Sequence, residues 1–258
     1  MIRRRSDWLA FALIGLAAGL LSGLFGVGGG ILIVPALVLA ARFDQRLASG
    51  TSLAAIVPTS LVGVTTYALS GNIDLLAAAL LAAGAIAGAQ LGSHLLAKLP
   101  KRVIQWAFIG FIVVVIITLF IVIPSRDAEI QVVPSSGVAL VILGLAVGVL
   151  SGILGIGGGV VIVPMLIVLF GASDLVAKGT SLLVMVPTAI SGTIGNSIRK
   201  NVDLPAAAVI GLAACTTTAL GAHIASAISP LAANVLFAVF LTLVAAQLVS
   251  RAVKTPHP

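Results

Sequence analysis

The sequence predicts an all-α polytopic membrane protein, an inverted repeat of two five-segment halves with broken or re-entrant helices. Three observations predict it. Of 258 residues, 60% are hydrophobic and 8% are charged, with a mean hydropathy of +1.27, whereas soluble chains carry about 25% charged residues. The apolar runs are long, rich in Ala and Leu, and do not alternate, so they read as helices rather than barrel strands. The chain also repeats itself at a fixed offset of 129 residues. This composition excludes a soluble enzyme, a disordered protein and a coiled coil. The single Cys215 excludes a disulfide framework and a cysteine-built metal site.

A helix needs roughly 20 apolar residues to cross the hydrocarbon core. The first half offers Trp8–Phe25, Ile31–Ala41, Thr51–Ser70, Leu75–Ala97 and Val103–Ile123. The second offers Val138–Leu154, Val160–Gly171, Thr180–Ile198, Leu204–Ala227 and Leu231–Ser250. The second and seventh runs are too short to span alone, and each follows a glycine cluster. They read as arms of broken helices or re-entrant hairpins. Arg3, Arg4 and Arg5 before an apolar run resemble the start of a secretory signal. The run has a partner later in the chain and no cleavage site leading into a polar mature start, so it is read as the first helix.

The repeat is strongest where Leu21–Pro35 matches Leu150–Pro164, with ten identities in fifteen. The same offset pairs Gly50-Thr51-Ser52 with Gly179-Thr180-Ser181, Pro58-Thr59 with Pro187-Thr188, Asn72 with Asn201, Asp74 with Asp203, and His94 with His223. Residues 1–125 therefore form one transmembrane repeat and 136–258 a second, joined by an extracytoplasmic linker at 126–135.

Charge decides the relative orientation of the halves. With a cytoplasmic N-terminus and an odd number of crossings per half, twelve basic residues fall inside: Arg3, Arg4, Arg5, Arg42, Arg46, Lys98, Lys101, Arg102, Arg199, Lys200, Arg251 and Lys254. Only Arg126 and Lys178 fall outside, a strong positive-inside bias. Counting each broken pair as one crossing would send Lys98, Lys101 and Arg102 outside, so the inverted arrangement is preferred. Both termini are then cytoplasmic. The net charge of +7 has this topological role, and no basic run pairs with exposed aromatics to suggest nucleic acid.

Inverted repeats with broken segments at matched positions are the plan of secondary transporters, with the site near the midplane. Gly28, Gly29 and Gly30, with Gly157, Gly158 and Gly159, interrupt apolar runs. Glycine admits positive φ and close backbone approach, and a half-helix starting there presents its amides to an anion. Isolated glycines such as Gly15, Gly19, Gly144 and Gly148 suit helix packing instead. Thr51, Ser52, Thr180 and Ser181 stand just before helical runs, where they can cap the helix or donate hydrogen bonds to an anion. Thr59, Thr188 and Asn196 would line the cavity beside the kinks at Pro58 and Pro187.

All seven acidic residues fall in predicted loops or at helix ends, and Asp74 and Asp203 read as caps. No carboxylate lies mid-membrane, as a cation site would require. The embedded polar groups are hydroxyls, amides and imidazoles, which suit an oxyanion. His94 and His223, near the ends of equivalent helices, read either as interfacial anchors or as proton-coupling groups, since imidazole titrates near neutrality. Tyr67 stands where the second half has Asn196, so the two contributions to a site need not be equal. No metal site and no cofactor is expected.

Gly26–Pro35 with Gly50–Ser52, and their copies Gly155–Pro164 with Gly179–Ser181, resemble the sulfite exporter TauE/SafE family, also called the 4-toluene sulfonate uptake permease family. The resemblance covers nearly the whole chain. It implies a multi-pass transporter of the bacterial or archaeal inner membrane, carrying sulfite, sulfoacetate or other organosulfonates by alternating access. A passive anion channel is the alternative. An enzyme is not expected, because no acid–base cluster lies in the membrane. The partners expected are the small anion and membrane lipid, with a homodimer as the assembly to test and no nucleic acid.

Overall fold

A computed structural model describes residues 5–121 and 134–254. Ten helices fill them, with no strand among the described residues: α1 (Arg5–Phe25), α2 (Gly30–Ala40), α3 (Gln45–Leu69), α4 (Leu75–Lys98), α5 (Lys101–Ile121), α6 (Pro134–Leu154), α7 (Gly159–Phe170), α8 (Asp174–Ile198), α9 (Leu204–Ala227) and α10 (Pro230–Lys254). Each helix from α6 to α10 begins 129 residues after its counterpart in α1 to α5. Seven of these helices are long and apolar enough to cross a membrane. The linker, with Arg126, Asp127 and Glu129, lies almost wholly outside the described residues, as do Arg3 and Arg4.

The ten expected segments are all present, with one consistent difference. Helices α3 and α8 begin at Gln45 and Asp174, six residues before the apolar runs that mark them in the sequence. Their N-caps are Asp44, whose carboxylate accepts from Leu47 N, and Ser173, whose hydroxyl accepts from Val176 N. These caps satisfy otherwise orphaned amides, so a polar first turn joins the helix although its hydropathy reads as loop. Gly50-Thr51-Ser52 and Gly179-Thr180-Ser181 are therefore inside their helices, not at the caps. Asp74 and Asp203 do cap α4 and α9, accepting from Ala77 N and Ala206 N.

Helices α2 and α7 have 11 and 12 residues, so they extend roughly 16 and 18 Å, about half the hydrocarbon thickness. Each is the return arm of a hairpin. Phe43, just past α2, packs edge-on against Phe11 near the start of α1, with ring centroids 6.0 Å apart. The chain thus comes back to the end of α1 from which it set out, and the glycine cluster forms the tip.

The two halves exchange partners. The most extensive interfaces are α1 with α9 and α4 with α6, which are equivalent under the repeat; α3 packs on its own counterpart α8. Small residues four apart make the exchanged interfaces: Gly84, Gly88 and Gly92 on α4 meet Gly144, Gly148 and Gly152 on α6, while Gly15, Gly19 and Gly23 on α1 meet Ala213, Thr217 and Gly221 on α9. A β-carbon on Gly88 would lie 2.8 Å from Val149 N, and one on Gly19 would lie 2.6 Å from Ala214 Cα. Lipid supplies no hydrophobic drive between helices, so close backbone contact has to hold them together. This is the packing expected of Gly15, Gly19, Gly144 and Gly148.

Candidate functional site

The hairpin tips meet at the centre. All residues from Gly26 to Gly30 and from Gly155 to Gly159 are buried. Positive φ occurs at Gly26 (70°), Gly28 (70°) and Gly29 (74°), and at Gly155 (74°), Gly157 (76°) and Gly158 (88°). A side chain there costs about 1–2 kcal/mol of backbone strain before any clash. A β-carbon on Gly30 would lie 2.7 Å from Ile156 Cα, and one on Gly159 would lie 2.6 Å from Gly26 O. Helices α2 and α7 begin at this junction behind the left-handed caps Gly29 and Gly158, neither of which supplies a side-chain cap bond. The half-helix amide ends that the glycine clusters imply are therefore present, and no side chain of the cap residue occupies them.

Ile56 on α3 and Met185 on α8 are equivalent positions, and both cover the tips. A β-carbon on either Gly28 or Gly157 would collide with Met185 Cε and lie 3.2 or 3.1 Å from Ile56 methyl carbons. Both side chains are fully buried and lie over the tips.

The Gly-Thr-Ser turns divide their labour. A β-carbon on Gly50 would run into Asn201 O, and one on Gly179 would run into Asn72 O. Thr51 Oγ1 accepts from Asp203 N at 3.0 Å, and Thr180 Oγ1 accepts from Asp74 N at 2.9 Å. Gly and Thr thus clamp the loop of the opposite half, and these contacts make α3 and α8 antiparallel. The serines behave differently from each other: Ser181 Oγ donates to Gly26 O at 3.0 Å, whereas buried Ser52 Oγ has no hydrogen-bond partner.

Thr59 and Thr188 are buried and donate to carbonyls one turn back, Ala55 O at 2.9 Å and Val184 O at 2.7 Å. Pro58 and Pro187, one residue before each, withdraw the N–H that would have bonded Ala54 O and Leu183 O. Asn196 Nδ2 donates to Gly192 O at 2.9 Å, while its buried Oδ1 has no partner. Tyr67, its equivalent, reaches the end of α1 and donates to Gly23 O at 2.7 Å. His94 and His223 are both exposed. Arg199 Nη2 lies 3.4 Å from His94 Nδ1.

Two features escaped the sequence reading. Ser22 and Ser151 occupy equivalent places in the last turns of α1 and α6, are fully buried, and have hydroxyls without a hydrogen-bond partner. An unmet buried hydroxyl costs about 1–3 kcal/mol, so this matched pair near the glycine tips joins the candidate site residues. Both lie in the aligned repeat, and their pairing is the signal that could have found them. Asp174, at a helix end as expected, and Lys178, counted among the extracytoplasmic charges, form a buried ion pair, with Nζ 3.3 Å from Oδ2. The early start of α8 carries them inside.

A model of the family described as sulfite exporter TauE/SafE matches residues 2–119 and 139–257, which are the two halves without the linker. The chain belongs to the TauE/SafE family. It is a membrane transporter of that family, and its relatives are named probable membrane transporter proteins. It is 30% identical to the probable membrane transporter protein YdhB of Bacillus subtilis over 230 residues, covering 87% of this chain and 92% of the relative. It is 31% identical to a probable membrane transporter protein of Haemophilus influenzae over 255 residues, covering 90% and 94%. An archaeal relative from Methanocaldococcus jannaschii, also a probable membrane transporter protein, is 25% identical over 84% of this chain and 86% of its own. No solved structure matches.

Proposed function

We propose that this TauE/SafE protein is a secondary transporter of small sulfur-containing anions, such as sulfite, sulfoacetate or other organosulfonates, in which inverted halves alternate access around a midplane site. The observation that carries the reading is the meeting of the two glycine tips. In an inverted repeat, equivalent points lie at equal and opposite depth. Tips in mutual contact must then both lie near the midplane, where two half-helix N-termini can face an anion. The antiparallel α3 and α8 and the returning hairpins support the inversion. Gly28, Gly29, Gly30, Gly157, Gly158 and Gly159 shape the site; Ser52 donates to the anion and Ser181 does so on releasing Gly26 O; Thr51 and Thr180, whose oxygens accept amides of the opposite half, keep their own protons to donate; Thr59, Thr188 and Asn196 line it. Alternation requires Ile56 and Met185 to part from the tips on one side at a time.

Purified protein in liposomes tests this reading. Radiolabelled sulfite or sulfoacetate is expected to show saturable counterflow. Electrically driven unitary currents without counterflow would establish a channel instead. Replacing His94 and His223 together with Gln is expected to flatten the pH dependence of counterflow, and an unchanged profile would remove them from coupling.

The protein resides in the inner membrane with both termini cytoplasmic. Arg46 Nη2 donates to Leu99 O at 2.9 Å, and Arg199 reaches Ser93 Oγ and His94, so Arg46, Lys98 and Arg199 gather at one face. Burial of Lys178 removes one of two exceptions to the positive-inside pattern. Single cysteines at positions 98 and 200, in a Cys215→Ala background, should label from the cytoplasmic side, and one at position 72 from the other. Labelling of 98 and 72 from the same side would overturn this topology.

A further inference from the structure

We propose that Lys178 is the positive charge that receives the transported anion, and that Asp174 holds it in reserve while the site is empty. The inference rests on the anion-transport reading. Among the described residues, Asp174 and Lys178 are the charged members of the buried set, at 2% and 5% exposure. Lys178 lies against a glycine tip: a β-carbon on Gly26 would be 2.6 Å from its Cα, 2.7 Å from its Cβ and 2.9 Å from its Cγ. One turn further along α8, Ser181 donates to Gly26 O at 3.0 Å. The lysine therefore approaches the same tip as a proposed anion donor.

Mechanical need does not explain the pair. Its counterparts in the first half are Gln45 and Ser49, and there the Ser49 hydroxyl alone bonds Leu154 O, the last carbonyl of α6, at 3.2 Å. The same backbone junction is thus held by an uncharged residue. Burying two charges costs at least as much as their attraction returns in most proteins, and apolar replacements are often as stable. A charge-assisted hydrogen bond, by contrast, is about twice as strong as a neutral one. A site of hydroxyls and amides alone must compete with the hydration of a sulfur oxyanion, and one ammonium group changes that balance. Exchange of partners, from the Asp174 carboxylate to the anion, also links loading to rearrangement at the start of α8. The empty carrier stays closed by its own ion pair, and the loaded one by its substrate.

The test compares wild type, Lys178→Arg, Asp174→Asn and the neutral double variant Asp174→Asn/Lys178→Met in counterflow of radiolabelled sulfite and sulfoacetate, with thermal melting as the check on folding. The double variant is expected to lose at least about tenfold in affinity, the scale of one charge-assisted hydrogen bond. Lys178→Arg should retain affinity within about threefold, because the charge remains. Asp174→Asn should bind more tightly than wild type, since the competitor for the ammonium is gone. A Gln45→Leu/Ser49→Ala control is expected to leave affinity unchanged. A folded double variant with wild-type affinity would overturn the proposal. If the double variant does not fold, Asp174→Asn decides: tighter binding upholds the exchange and unchanged affinity refutes it. Wild type without saturable counterflow of either anion would instead end the anion-transport reading and this inference with it.

Discussion

The starts of α3 and α8 share one backbone path but differ in chemistry. The first carries Gln45, Ser49, Ser52 and Ile56; the second carries Asp174, Lys178, Ser181 and Met185 at the equivalent positions. Around them the frame is conspicuously matched. Gly50 and Gly179 each admit a carbonyl from the opposite half, and Thr51 and Thr180 each accept an amide from it. These clamps come in equal pairs, one made by each half, whereas the polar contacts of Ser49, Gln90, Ser181 and Arg199 with the opposite half are unmatched. Near the glycine tips, Ser49 and Lys178 differ, as do Ile56 and Met185, while the buried Ser22 and Ser151 are identical.

The largest effect should come from breaking the matched frame. Gly88→Leu places a branched side chain against the α6 backbone, where even a β-carbon would be 2.8 Å from Val149 N. It is expected to cost about 3 kcal/mol or more. Loss of the folded peak in detergent size-exclusion chromatography would register it, and Gly19→Leu should behave alike on α1. A mild effect at either position would mean that the exchanged interfaces are looser than their geometry.

The unmatched charges should give an effect of similar size. Asp174→Ala removes the carboxylate 3.3 Å from buried Lys178 and should cost about 3–5 kcal/mol, the usual cost of breaking a buried ion pair by removing one partner. The equivalent Gln45→Ala should stay within about 0.5 kcal/mol. Melting temperatures of the two variants measure the contrast, and equal shifts would erase the asymmetry.

The tips should respond more gently. Gly157→Ala is expected to cost about 1–2 kcal/mol from its left-handed backbone, with a further penalty from contact with Met185. Met185→Ala should recover the contact portion but not the backbone portion, and a double-mutant cycle on melting separates the two. Additive effects would show that Met185 does not seal the tip. Smallest are the clamps: Thr51→Val and Thr180→Val each remove the acceptor of one amide and should cost about 1 kcal/mol. The two values are expected to agree within error, and a marked difference would make one clamp part of the unequal site.

Much of the scaffold was legible because it is repetitive. The glycine rows, the aspartate caps at Asp74 and Asp203, the short arms α2 and α7 and the offset between halves are all local signals. The site was legible in part. Gly28–Gly30 and Gly157–Gly159 stand where the hairpin tips meet, as their sequence pattern suggested, while Ser22 and Ser151 were not singled out. Thr51 and Thr180 carried the right spacing, but their oxygens are engaged by the opposite half, a contact between residues 152 and 106 positions apart in sequence. Hydropathy placed Asp174 and Lys178 in a loop, because a single charged turn outweighs the apolar residues beyond it.

Composition and repetition by themselves determined that this chain lives in lipid, that it is built from two equivalent units, and that each unit breaks at a glycine cluster. These follow from solvent exclusion and backbone conformation, which act residue by residue. Only the tertiary structure decided that the halves trade partners, that the two glycine tips touch, and that a lysine counted among the extracytoplasmic charges is buried against one of them. Those outcomes depend on which distant surfaces fit at backbone contact, and hydropathy carries no record of fit.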